Sequence, residues 1–368
     1  FDVDPDGDPG YVVWDDSAAS ITIAGNVYSD EGVTASAVCD GVTNNVHVRV
    51  AGLTSYTTTC NATTGAYAVT GVTYSPGDAL VAYIDGEAVS AATVTEDPVS
   101  NINNMDLYEN RVIVRHEGID PVSISDMSLW DSSDDADIPF TAVSGTPDTL
   151  TLPADTKLIV WNSKEFEPNG TVTVTGAGAG AVYDGTVQLF TNAVWTANGS
   201  EEYSIGGSFI LDSGATFDPA NSTTTFTTAE SGRTVDINES GFYNVRFSGS
   251  GSWSITDATL AANDLQITAG TVTLPTGTST ISGSFVNNGG SFVNNGSPLV
   301  FDGVSSGNTI QADGSDFAEM RFTGSGAWTM TDTDATSTAS VLISSGTLTL
   351  PTGTLALDGS FRNEGGIV

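Results

Sequence analysis

The chain has 368 residues, and 9 Lys plus Arg stand against 45 Asp plus Glu, a formal charge of −36 at pH 7. Such an acid excess excludes nucleic acid as a partner, because phosphates require basic side chains, and it opposes adsorption to anionic lipid. Hydrophobic residues reach 39%, enough for a packed core, and no apolar run approaches the ~18 residues of a membrane-spanning helix.

Phe1 opens the chain without a signal-peptide pattern, as expected of a mature or trimmed product. Residues 1–17 form an acidic lead-in. Asp2, Asp4 and Asp6, with Gly7, fit the first half of a calcium loop, D-x-D-x-D-G, in which alternate carboxylates close around a hard cation. The second half departs from it, because Val13 stands where a bidentate Glu is needed. Two readings are open here: a calcium site at Asp2, Asp4 and Asp6, or a solvated acidic linker, which Val13 favours.

Residues 18–108 carry short alternating runs at 20–28, 47–50, 55–60, 67–72 and 79–84, with weaker ones at 33–38 and 89–94. Gly, Asn and Pro turns separate them. Seven such runs predict a β-sandwich. Cys39 and Cys60, the only cysteines, both fall in this segment. They are too far apart for a C-x-x-C redox pair, and two thiols with His47 are too few ligands for zinc. A structural disulfide is the expectation, and it implies an oxidising, extracytoplasmic compartment. The alternative is a cytosolic protein with two reduced thiols.

Residues 109–148 are expected to connect two architectures. The stretch from Arg111 to His116 is the most basic in the chain and predicts a short strand with outward charges. Asp131, Asp134, Asp135 and Asp137 form a second acidic cluster, for which a solvated loop is preferred to calcium.

From residue 149 to 368 the chain repeats. Gly207-Ser208-Phe209 returns as Gly283-Ser284-Phe285 and as Gly359-Ser360-Phe361, each 76 residues after the last. Phe226 answers to Phe301, Phe242 to Phe317, Arg246 to Arg321, Phe247 to Phe322 and Trp253 to Trp328, these 75 apart. One residue therefore slips in a turn without disturbing the pattern, as stacked units allow. Apolar residues alternate with Ser and Thr, and glycine turns punctuate the runs. Such units bury an apolar face only by stacking. The prediction is an all-β chain: a β-sandwich, then a β-solenoid of the parallel β-helix type, with about four coils of ~19 residues per unit. Phe226, Phe247, Phe301 and Phe322 belong inside it. Residues 149–153 form an atypical opening, and the Gly-Ala stretch at 176–181 a loop.

No catalytic constellation emerges. His47 and His116 lie in different contexts, outside any nucleophile motif. Arg246 and Arg321 obey the repeat, whereas an active site should break it, so their role is structural. Trp253 and Trp328 fit either a sugar-binding platform or core packing, with packing preferred. Sequons at Asn61, Asn169, Asn198, Asn221, Asn238 and Asn295 are near what so much Ser and Thr produces by chance.

Thr64-Gly65-Ala66-Tyr67, followed by Pro76-Gly77-Asp78-Ala79-Leu80, resembles the Ig-like and carboxypeptidase-regulatory-like modules of bacterial surface proteins. Such a module followed by Thr-Leu-Thr-Leu-Pro, Gly-Ser-Phe, Phe-x-Gly-Ser-Gly and Trp repeats is similar to the long secreted surface proteins of bacteria. The resemblance implies an Ig-like sandwich and an extracellular or cell-surface role as fibre, surface layer or adhesin. The expected function is thus structural and not enzymatic, with copies of itself as partners and no cofactor except calcium. The alternatives are a carbohydrate- or cell-binding adhesin that recognises surface glycans, or, more remotely, a β-helical polysaccharide-degrading enzyme. Residues 359–368 begin another copy of the unit, so further units or another subunit are expected over the last coil.

Overall fold

Because every second side chain in a strand points the same way, the Ser/Thr alternation leaves each run one apolar face to bury. The structure, a computed structural model, describes residues 19–50, 55–75, 77–96, 98–176 and 185–368. It is an all-β fold built around a parallel β-solenoid, with one short helix, α1 (Ile124–Met127), among the described residues. No described helix is long and apolar enough to cross a membrane.

The N-terminal unit contains β1 (Ala19–Tyr28), β2 (Val46–Val50), β3 (Ser55–Thr58), β4 (Ala66–Tyr74), β5 (Ala79–Ile84), β6 (Ala92–Glu96) and β7 (Leu107–Tyr108). One sheet runs β4-β1-β7; the other runs β3-β2-β5-β6. Their facing side chains, among them Ile23, Val48, Val72, Leu80, Ala82 and Leu107, share one core. The run at 33–38 is a turn with a single bridge from Ala35 to Tyr28, and Val33 is exposed. The weak run at 89–94 is realised as β6. Cys39 and Cys60 are disulfide-bonded within this core. Closing a loop of sequence separation 21 should stabilise the unit by about 3 kcal/mol. We therefore expect Cys39→Ser/Cys60→Ser to lose that much in denaturant titration, with non-reducing peptide mapping recovering one linked fragment from the native chain.

The second sheet does not stop at β6. β6 pairs in parallel with β8 (Arg111–Val114), and β8 in parallel with strand Lys157–Val160 of the next coil. Parallel stacking thus begins at Arg111, ahead of the expected start at Thr149, and the supposed connector supplies the first rung. β5 is buried along its whole length. Leu80, Ala82 and Ile84 enter the N-terminal core, whereas Val81 and Tyr83 enter the solenoid core with Val122, Met127 and Phe140. The two units share a sheet.

Each coil visits three faces in turn. The first is an 11-stranded sheet that ends at Thr347–Thr349, and β9 (Thr141–Val143) closes its near edge antiparallel to Asp148–Leu152. The second is the sheet shared with the N-terminal unit, running to Ser291–Val293 and resumed by Ala335–Ser337 and Leu355–Leu357. The third holds Glu165–Phe166, Val194–Thr196 and Thr216–Asp218, then six strands from Leu260–Ala262 to Phe361–Asn363. A bridge from Val122 to Phe166 meets its near edge. All three faces are therefore capped at this end, as a solenoid terminus requires.

The repeat and the coil have different lengths. Phe209 lies on the second face, Phe285 on the first and Phe361 on the third. Counting the corner turns at Phe242 and Phe317, the chain makes eleven moves from face to face between Phe209 and Phe285, and eleven more to Phe361. One unit is three and two-thirds coils, not the expected four. Equivalent residues therefore sit a third of a turn apart, with a rise of about 18 Å per unit.

Local packing survives the rotation intact. Phe226 and Phe247 stack at 5.0 Å and 14° on the first face; Phe301 and Phe322 stack at 4.9 Å and 13° on the third. Trp253 leans on the first pair and Trp328 on the second at the same tilt, 58° to Phe226 and Phe301 respectively. Gly270 and Gly346, both at positive φ, occupy matched corners where a Cβ would meet the carbonyl oxygens of Gly251 and Gly324 at 2.4 and 2.5 Å. Ser240 Oγ accepts from the Phe217 amide and Ser315 Oγ from the Phe292 amide, each at 3.2 Å.

Candidate functional site

The candidates for chemistry separate once placed in three dimensions. Asp2, Asp4 and Asp6 lie outside the described residues, as does most of the stretch at 176–181. Trp253 and Trp328 are 1% and 0% exposed, so they pack the core and present no platform to a sugar. Phe226, Phe247, Phe301 and Phe322 are fully buried, as expected. Arg246 and Arg321 point outward to different partners: Arg246 Nε donates to Gln266 Oε1 at 2.8 Å, and Arg321 pairs with Glu319 at 2.7 Å.

The basic stretch is not solvated. Arg111 and Arg115 point away from the coil interior, but the N-terminal unit and the coil corners cover them. Glu31 is shared by Arg111 at 3.3 Å and Lys157 at 2.5 Å, and Arg115 pairs with Glu117 at 2.6 Å beside Trp161. Lys157 Nζ also donates to Gln188 Oε1 at 2.5 Å. Burial pushes the Lys157 ammonium below its ordinary range, although Glu31 works against it. The network holds a lysine and a carboxylate together, yet its cations are sealed from substrate. It fastens the unit to the first coils.

No family model matches the chain, and neither a curated protein nor a solved structure shows detectable similarity to it.

The second acidic cluster divides. Asp131 is buried and ties its own loop, accepting from Ser133 N and Oγ at 2.7 and 2.6 Å and from Ala142 N at 2.7 Å. Asp134 accepts from the Asp131 amide at 3.2 Å. Asp135 and Asp137 instead reach across to Asp85, at the end of β5, and the three carboxylates come within 4.8 Å of one another. Their oxygens already have protein partners. Asp135 Oδ2 accepts from Tyr83 OH at 2.6 Å and Arg49 Nη2 at 3.0 Å. Asp137 Oδ2 accepts from Gly86 N at 2.8 Å, and Asp85 Oδ2 meets His47 Nε2 at 3.2 Å. This is an ion-pair network across a packed interface. His116 takes no part; its Nδ1 lies 2.9 Å from the Gly118 carbonyl oxygen.

Burial raises the Asp85 carboxyl above the usual carboxylate range. His47 opposes the shift, while Asp135 and Asp137 add to it. Burial also acts upward on Asp135, but the bonds from Tyr83, the Asp137 amide and Arg49 outweigh it and hold that carboxyl low. Two acids in one cluster are thus pushed in opposite directions.

A shallow cavity of about 280 Å³ lies near the first face, lined by Pro147, Asn169, Gly170, Thr171, Ser200, Glu201 and Glu202. Its lining includes two carboxylates, and one of them, Glu201, is committed to the amides of Asn198 and Gly199 at 2.9 and 2.8 Å.

Proposed function

We propose that the chain is an extracellular structural protein, a segment of a cell-surface fibre, surface layer or matrix assembly. In this reading the N-terminal two-sheet unit is an Ig-like module of a bacterial surface protein. One observation carries it: what the units share is the interior. The stacked Phe pairs with their Trp repeat from one face to another, while the matched outward arginines take unrelated partners. A unit kept constant for stacking is suited to building length. The disulfide supports an oxidising compartment, and the charge of −36 opposes unspecific clumping of rods.

Copies of the chain are the proposed partners, with calcium as a bridging ion between acidic surfaces. Electron microscopy and light scattering on purified native material, with and without a chelator, test this. Ordered end-to-end or lateral arrays are expected. Monodisperse particles that show no order in calcium would remove the assembly reading, and glycan binding by such particles would favour an adhesin.

A further inference from the structure

The loop at 129–138 lies as a strap over the outer side of β2 and β5. Its apolar end is anchored by Ile138 and Phe140 in the solenoid core. Trp130 Nε1 donates to the Val50 carbonyl at 2.9 Å, and the Arg49 guanidinium sits 4.9 Å over the Trp130 ring. The rest of the closure is ionic. β2 contributes His47 and Arg49, β5 and its turn contribute Tyr83 and Asp85, and the strap contributes Asp131, Asp134, Asp135 and Asp137. The neighbouring β3 adds only Ser55 and Thr57 opposite Arg49 and His47.

Closing the strap brings Asp135 and Asp137 against Asp85, three carboxylates facing the permanent charge of Arg49 alone. Like charges held this close in a half-buried interface repel. One change relieves the repulsion as pH falls: a proton on Asp85, the carboxyl that faces both strap acids.

We propose that the strap is a proton-sensitive clasp between the N-terminal sheet and the solenoid cap, tighter in acid and looser as pH rises. The sign agrees with Asp85: a carboxyl raised in the closed form adds stability below its ordinary value, and that stability is lost as pH climbs through the raised one. The clasp would tune the junction whatever the rod assembles with.

Hydrogen exchange on the full chain at about pH 4, near the ordinary carboxylate value, and at about pH 7.5, corrected for intrinsic rates, reads the strap directly. Protection of 129–138 should be several-fold higher in acid. Asp85→Asn should hold that protection at both values, and Asp137→Asn serves in its place if the first variant folds poorly. Equal protection at both values in the native chain would overturn the clasp, as would an undiminished pH dependence in both variants. Protection that appears with added calcium but not with acid would also overturn it, in favour of a metal site.

Discussion

Phe247→Asp should unfold the solenoid around its coil. Phe247 is fully buried, stacks on Phe226 at 5.0 Å and touches Trp253 at 5.2 Å. Removing such a ring costs about 3–5 kcal/mol, and a carboxylate without a partner in that core adds several more. Because the core is continuous along the rod, the loss spreads to the coils above and below. Phe322→Asp should behave alike, since Phe322 has the matching neighbours Phe301 and Trp328 on the third face. Arg246→Asp, one residue from Phe247 but outward, should stay within about 0.5 kcal/mol of the native chain. Denaturant unfolding of the three variants checks this. A stable Phe247→Asp chain would mean that the inward face has been assigned to the wrong residues.

Alternation and the returning landmarks made the strands, the shared core and the inward Phe residues legible, because both follow from what a half-buried strand must do. The coil count was not legible, since a sequence period reports equivalence between residues and not the path between them. Coil length also varies: Thr271 pairs with Ser291, but Phe285 pairs with Ile310 across a longer corner. Dividing the period by one coil length therefore misplaces the faces. The start of the stack was hidden for a related reason. β8 looks like an ordinary basic strand, and only its pairing with Lys157–Val160 shows it to be a rung. The Asp85 network leaves no signal in the spacing of its acids, because Asp135 and Asp137 lie in a distant loop. What could have pointed to it is β5 itself, Ala79 to Ile84, whose apolar run without alternation signals a strand covered on both faces.

Removing residues 208–283 should leave a folded, shorter rod in which everything downstream turns by one face. The cut joins Gly207 to Ser284, so Phe285 takes the place of Phe209 on the second face beside Val187. Phe292 then replaces Phe217 next to Trp195 on the third face, and Phe301 replaces Phe226 next to Ile205 on the first. Each exchange sets like against like, so the new junction keeps its apolar volume and its turn glycines. Trp328 moves from the first face to the second, a shift that a structure of the variant would show directly. Whole coils per unit would have left it in place. The control removes residues 208–273, ending with the last residue of the strand Thr271–Thr273. It sets Pro275-Thr276-Gly277 in place of the strand Phe209–Leu211, so the inward Phe209 and Leu211 are lost to a proline and a glycine. That chain should lose cooperative unfolding while the in-phase deletion keeps it. If the two behaved alike, the aromatic triads would not be what holds successive units in step.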